Sequence, residues 1–265
     1  MIILSNIIAI FRRELQSYFA SPLAYIVATV FWLLSGFFFV SLLIGPQGII
    51  QQVAISEQMG MELPPLDVAY LFITNFFTVM GSLILFILPI LSMGLYAEER
   101  KQGTLELLAT SPLTNWSVAV GKLLGVLTFF ITLILPFLLY EAIAFSTANP
   151  PMNFQVPILA HLGLILLAAS VLSLGMFISS LTNSSLIAAI LTFALVTFLW
   201  IIDIIGNKAG GIIGKIFENI SLLKNYNDMI AGVFNTSGVV VFFSYIFLGI
   251  FLTAQSIQSL RFQRF

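Results

Sequence analysis

The sequence predicts an all-α membrane protein: six transmembrane helices preceded by an amphipathic helix lying in the membrane interface. Three observations lead there. Of 265 residues, 60% are hydrophobic and only 8% are charged, whereas a soluble domain carries roughly a quarter charged residues to keep its surface hydrated. Mean hydropathy is +1.09. The apolar residues also gather in nearly uncharged stretches long enough, at about 1.5 Å per residue, to cross a hydrocarbon core of about 30 Å.

The first stretch places Ile3, Ile7, Ile10, Phe11, Leu15 and Tyr18 at helical spacing, with Arg12, Arg13, Glu14, Gln16 and Ser17 clustered elsewhere. That pattern predicts an interfacial helix over residues 1–20, too polar to cross the membrane. A frayed beginning of the first span would show a similar pattern. Ser21-Pro22 opens span one, residues 23–44, which ends at Gly45-Pro46. A polar connection with Glu57, Glu62, Pro64-Pro65 and Asp67 leads to span two, residues 70–96, where Pro89 predicts a kink whose freed carbonyl needs a neighbour. Span three, residues 116–145, begins near Lys122 and contains Pro136 and Glu141. A turn around Asn149-Pro150-Pro151 leads to span four, residues 158–181, and Thr182-Asn183-Ser184 joins it to span five, residues 185–205. So short a link requires an antiparallel hairpin. A Gly-rich, mixed-charge segment follows, with Ile212, Ile213, Ile216, Phe217 and Ile220 at near-helical spacing, and then span six, residues 237–256. With no repeat or linker, residues 1–265 read as one membrane domain.

Basic residues accumulate on the cytoplasmic side of membrane proteins. With the N-terminus inside, Arg12, Arg13, Arg100, Lys101, Lys122, Arg261 and Arg264 face the cytoplasm and Lys208, Lys215 and Lys224 face out. Both termini are therefore expected in the cytoplasm and the chain in the cell's inner (plasma) membrane. The N-terminus shows no basic region ahead of a cleavable apolar core, so no signal peptide is expected. The absence of cysteine excludes disulfides and thiolate metal sites, and one histidine excludes paired-histidine motifs. No metal site is expected. A net charge of −1 argues against nucleic acid as a partner.

The most informative stretch is residues 97–114, Ala-Glu-Glu-Arg-Lys-Gln-Gly-Thr-Leu-Glu-Leu-Leu-Ala-Thr-Ser-Pro-Leu-Thr, between spans two and three. It reads as a short helical element whose leucines give apolar contacts and which Ser111-Pro112 ends. Such an element at a membrane boundary can dock into a groove on a soluble partner. A loop held inside merely by its positive charge would have the same composition.

This stretch resembles the cytoplasmic coupling element of ABC-2 type transporter permeases, E-E-R-x-x-G-T-x-E-x-L-x-x-x-P, through Glu98, Glu99, Arg100, Gly103, Thr104, Glu106, Leu108 and Pro112. Arg13-Glu14-Leu15, Tyr18-Phe19, Ser21-Pro22 and Ala24-Tyr25 are similar to the gliding-motility and copper-site-maturation subgroup, as is Leu174-Gly175-x-Phe177-Ile178-Ser179-Ser180-Leu181-Thr182. The resemblance implies an ABC-2 exporter-like fold and a membrane subunit that pairs with a second permease subunit and with cytoplasmic P-loop ATPase subunits. ATP and magnesium would sit on those subunits. It also implies that the eight matched residues form the coupling site, with Arg12, Arg13 and Glu14 on the interfacial helix. The chain itself carries no P-loop: Gly121-Lys122 and Gly214-Lys215 are followed by Leu123 and Ile216 rather than Ser or Thr. No catalytic residue and no cofactor are expected on it. ATP-driven closure of the partners would move the coupling element and rock spans two and three, with spans two and five lining a path by analogy. The exported or moved substrate is open. A gliding-type mechanical or assembly scaffold, helped by an extracytoplasmic accessory protein, is the alternative.

Polar residues inside the spans have simpler readings. Glu141 is expected near the outer interface, Asp203 at the outer end of span five beside Lys208, and His161 as a hydrogen-bonded interfacial histidine. Gly121 and Gly125 form a G-x-x-x-G that permits close helix approach.

Overall fold

A computed structural model describes residues 2–58, 67–105, 113–146, 153–208 and 211–262. Among these the chain is helical throughout: α1 (Ile2–Ala20), α2 (Pro22–Leu43), α3 (Ile49–Gln58), α4 (Val68–Ser92), α5 (Gly94–Lys101), α6 (Asn115–Ile134), α7 (Pro136–Phe145), α8 (Gln155–Leu181), α9 (Ser185–Lys208), α10 (Gly211–Ile220), α11 (Leu222–Ile230) and α12 (Thr236–Phe262). Six stretches are long and apolar enough to cross a membrane: Pro22–Leu43, Val68–Lys101, Asn115–Phe145, Gln155–Leu181, Ser185–Ile202 and Thr236–Ser259.

Local chemistry sets the helix starts. Pro22 occupies the first turn of α2, where its missing N–H costs nothing. Asp67 caps α4 by accepting from the Tyr70 N–H at 2.9 Å, and Ser221 caps α11 by accepting from Lys224 N–H at 3.1 Å. Pro89 does not interrupt the helix of the second span. Helix α4 runs through that residue, and the break falls at Met93, between α4 and α5. The third span breaks between α6 and α7, at Leu135-Pro136, and the Trp32 indole N–H donates to the nearby Leu133 carbonyl at 2.9 Å.

Helix α8 is the axis of the bundle. It packs on α4, α6, α9, α11 and α12, and its buried face includes Gly163, Ser170, Ser173, Gly175 and Ser179. Small residues let helix backbones approach closely, which is how packing is gained where no hydrophobic effect separates helix from lipid. A Cβ at Gly249 of α12 would stand 2.5–2.6 Å from the Ser173 backbone, and the Ser170 and Ser173 hydroxyls donate across to the Phe242 and Tyr245 carbonyls. Helix α11 reaches inward from the end opposite α1. Tyr226 is fully buried, donates to the Phe77 carbonyl at 2.6 Å and fills the space at Gly81. Phe77 lies nine residues into α4, so α11 penetrates the bundle by about 14 Å. Burial pushes the Tyr226 phenol above its usual range and keeps it a neutral donor.

Candidate functional site

At the α1 end, the C-terminal part of the second span is broken between α4 and α5, and three elements hold the break. The Tyr18 hydroxyl of α1 donates to the Leu91 carbonyl at 2.6 Å. Ser179 of α8 donates to the Met93 carbonyl at 2.8 Å and accepts from the Tyr96 and Ala97 N–H groups at 3.1 and 3.0 Å. A single hydroxyl thus serves the carbonyl that ends one helix and the orphan donors that begin the next. Lys122 of α6 donates to the Leu95 carbonyl at 2.8 Å.

Lys122 is the centre of this site. It is 3% exposed, its Nζ is 3.0 Å from Glu14 Oε2 of α1 and 3.1 Å from Glu99 Oε1 of α5, and it lies 5.0 Å above the Tyr96 ring. Its three ammonium protons match three acceptors on two other helices. A charge removed from water at this depth is tolerable only when so paired. Among the described residues, Glu99 Oε2 and the Tyr96 hydroxyl are buried without a partner.

The G-x-x-x-G of α6 brings α1 within reach. A Cβ at Gly121 would meet Ile10 and the Ile7 carbonyl, and one at Gly125 would meet Glu14 at 2.7–2.8 Å. The motif is therefore filled from within the chain. Glu14 is half-buried while Arg12 and Arg13 are exposed, so α1 turns its one acidic side chain inward and its two cations out. Burial raises the Tyr18 phenol well above its ordinary range, and Glu14 and Glu98 push in the same direction.

The sequence groups Glu98, Glu99 and Arg100 together, and the structure separates them. Glu98 and Lys101 are exposed. Glu99 points to Lys122, and Arg100 donates from Nη1 to the Ser180 carbonyl at 2.8 Å. Within residues 97–114, α5 ends at Lys101, a turn follows at Gln102-Gly103, and the chain is helical again at Thr104-Leu105. Gly103 takes φ +73°, the left-handed turn that glycine adopts without strain, its N–H bonds the Arg100 carbonyl at 3.2 Å, and the Thr104 hydroxyl donates to the Glu99 carbonyl. Gly103 thus ends α5 in a turn, and Leu105, in the helical residues that follow it, is buried. Glu106, Leu108 and Pro112 lie outside the described residues.

Three members of this site, Lys122, Tyr18 and Ser179, were not marked by sequence reasoning as site residues. One signal was present for Lys122. A lysine with glycine immediately before it and three residues after it cannot hide its charge unless a neighbouring helix brings an anion, and the glycines admit that helix.

At the opposite end the structure brings together two residues that the sequence treats separately. Glu141 of α7 is 6% exposed, and its Oε1 is 3.4 Å from His161 Nδ1 of α8. The side chains of Asp203 and Lys208 lie outside what is described. No group of three or more metal-ligating side chains occurs among the described residues.

Comparison with known proteins places these observations. The model of one family, described as ABC-2 family transporter protein, matches residues 8–254. No curated protein matches the chain.

Proposed function

Since this chain belongs to the ABC-2 family of transporter proteins and is a multi-pass permease subunit of that family, we propose that its motor is a separate pair of cytoplasmic P-loop ATPase subunits. ATP and magnesium bind there. The permease works with a second permease subunit in the inner (plasma) membrane, both of its termini cytoplasmic. The observation that carries this reading is the mechanical continuity of α5. Its outer face presents Glu98 and Lys101, while its inner face is bound through Lys122 to α1 and α6 and through Ser179 and Arg100 to α8.

The coupling follows from that geometry. A push on the exposed face of α5 cannot be absorbed locally, because the buried ion pairs and the Ser179 hydroxyl bind it to three helices. Packed helices respond by moving between discrete arrangements rather than by bending continuously. The break at Met93 gives the second span a joint at which α5 can turn relative to α4. A small apolar recess lies where α4, α8, α9 and α11 meet, bounded by Leu85, Val171, Val196 and Leu222.

The test is recovery of the chain from its native membrane in mild detergent, with the co-purifying proteins identified by mass spectrometry. A stoichiometric soluble protein with a P-loop is expected, and its recovery should fall in the double variant Glu98→Lys/Lys101→Glu, whose side chains are exposed and whose loss leaves the buried joint intact. Repeated isolation of the chain alone after crosslinking would overturn the reading. ATPase activity stimulated by a solute supports transport, whereas dependence on an extracytoplasmic protein supports the mechanical role.

A further inference from the structure

We propose that Glu141 and His161 form a binding site for one exchangeable proton, set between α7 and α8 at the end of the bundle remote from the coupling element. This proposal does not depend on the ATPase assignment.

The argument begins with hydrogen-bond direction. His161 Nδ1 lies 3.0 Å from the Pro157 carbonyl, and a carbonyl can only accept, so Nδ1 carries the hydrogen. That leaves Nε2 as a bare acceptor, and it is buried with no partner among the described residues. Glu141 Oε1 stands 3.4 Å from the same Nδ1, but the N–H is already aimed at Pro157, and Oε1 has no hydrogen bond either. Two acceptors from adjacent helices are therefore buried together with nothing donated to them.

The surroundings offer no replacement. Phe77 of α4 meets the imidazole edge to face at 4.9 Å. From α11, Tyr226 gives its proton to the Phe77 carbonyl, and Lys224 is paired with Glu218 of α10 at 2.8 Å. Tyr70 of α4 donates to the Ala231 carbonyl, Asp67 caps that helix, and Tyr140 of α7 stacks on Phe39 of α2. Lys122 of α6 is committed to Glu14 and Glu99 at the far end. Among the described residues, Asp228 of α11 and Tyr245 of α12 make no ion pair or hydrogen bond to either residue of the dyad.

Charge then decides the ligand. Carboxylate plus neutral imidazole carries −1. One added proton makes the pair neutral, as carboxylic acid with imidazole or as carboxylate with imidazolium. An uncompensated charge at a buried site in hydrocarbon surroundings costs several kcal/mol, so the proton is the simplest ligand that the two free acceptors and the net charge both ask for. The site sits just past the Leu135-Pro136 break, on the short half-helix α7, whose buried face consists of Phe137, Glu141 and Ala144. Its occupancy thus acts on a half-helix that packs on α2, α4 and α6.

His161 is the sole histidine of the chain, which makes the test site-specific. The chain, labelled with ¹⁵N-histidine and reconstituted in lipid bilayers, is titrated by solid-state NMR, with infrared spectroscopy of the carboxyl groups in parallel. The expected result near neutral pH is a hydrogen on Nδ1 together with a protonated-carboxyl infrared band. Glu141→Gln should abolish the band and displace the histidine titration midpoint by about one pH unit or more, and His161→Gln should move the band's frequency. Glu141→Asp, which keeps the acid, should shift the band rather than remove it. A wild-type protein with no protonated carboxyl near neutral pH and no histidine titration coupled to it would overturn the proposal whatever the variants do. So would a band that survives Glu141→Gln, or a histidine midpoint that Glu141→Gln leaves in place.

Discussion

The two ends of the bundle each bury a carboxylate against a basic side chain, and they do it in opposite ways. At the α1 end, Lys122 has three protons and three acceptors, Glu14, Glu99 and the Leu95 carbonyl. At the other end, Glu141 and His161 lie within 3.4 Å, yet Oε1 and Nε2 are left unserved. The first arrangement is a cation saturated by its neighbours, and a saturated buried charge makes a rigid joint, because any movement exposes an unpaired ion to a low dielectric. In the second, no cation is shared in this way, and neither Glu141 Oε1 nor His161 Nε2 has a hydrogen bond among the described residues. The contrast lies in the cation, since Glu99 Oε2 and the Tyr96 hydroxyl at the first end also lack partners.

Removing the saturation should have the largest effect. Lys122→Met leaves Glu14 and Glu99 buried without a cation and is expected to cost about 3–5 kcal/mol, read as loss of thermal stability in detergent. The triple variant Glu14→Gln/Glu99→Gln/Lys122→Met should recover most of that loss, since replacing all partners of a buried ion group removes its desolvation penalty. A single variant as stable as the parent would end the view of Lys122 as a joint. Next comes Gly125→Val. Its side chain would enter the space of Glu14, and overpacking there should destabilise by about 1–3 kcal/mol while displacing α1 from α6. Crosslinking between cysteines placed on those helices in this cysteine-free chain checks the displacement.

Ser179→Ala removes a hydroxyl that serves the Met93 carbonyl and two N–H groups. Leaving these groups buried and unsatisfied should cost about 1–3 kcal/mol and loosen α5, seen as faster hydrogen exchange at Tyr96 and Ala97. Tyr18→Phe deletes one hydrogen bond to Leu91, worth about 1 kcal/mol. The sign of its pH dependence is set by the raised phenol: the folded state holds that proton more tightly than the unfolded one, so its contribution is complete below about pH 10 and lost as pH rises further. The Phe variant should therefore show a weaker alkaline loss of stability than the parent. Smallest of all, Glu141→Gln near neutral pH should change stability by less than about 1 kcal/mol, because under the proton-site proposal the pair is neutral with its proton bound and the amide keeps the size of the side chain. A loss comparable to that of Lys122→Met would mean that both ends are saturated alike, and the contrast would fail.

Much of the membrane architecture was legible because lipid imposes one demand on every span, a long apolar run with its backbone bonded internally. Span one follows from Leu23 onward by composition alone, and the Thr182-Asn183-Ser184 link forces its hairpin. Other features needed neighbours. The helix break at Met93 has no signal of its own in the sequence, and the hydroxyls that bond the Leu91 and Met93 carbonyls there, Tyr18 and Ser179, come from distant helices. Glu98 and Glu99 are adjacent and chemically identical. Helical geometry turns one outward and the other toward Lys122, a partner more than twenty residues away that no local pattern reveals. Gly103 was visible as a matched motif position, but its left-handed turn at the end of α5 was not, because that conformation leaves no local pattern in the sequence.

Residue type and spacing by themselves determined that this chain dwells in lipid, that it crosses repeatedly, and that residues 97–114 carry its concentrated charge. Those are properties of free energy of transfer, summed along the chain and indifferent to what packs where. Which charges meet is a different kind of fact. Lys122 with Glu14 and Glu99, and Glu141 beside His161, exist only once helices distant in sequence lie side by side. In a medium that cannot solvate an ion, the tertiary arrangement decides whether a buried charge is a bond, as at Lys122, or an unfilled site, as at Glu141.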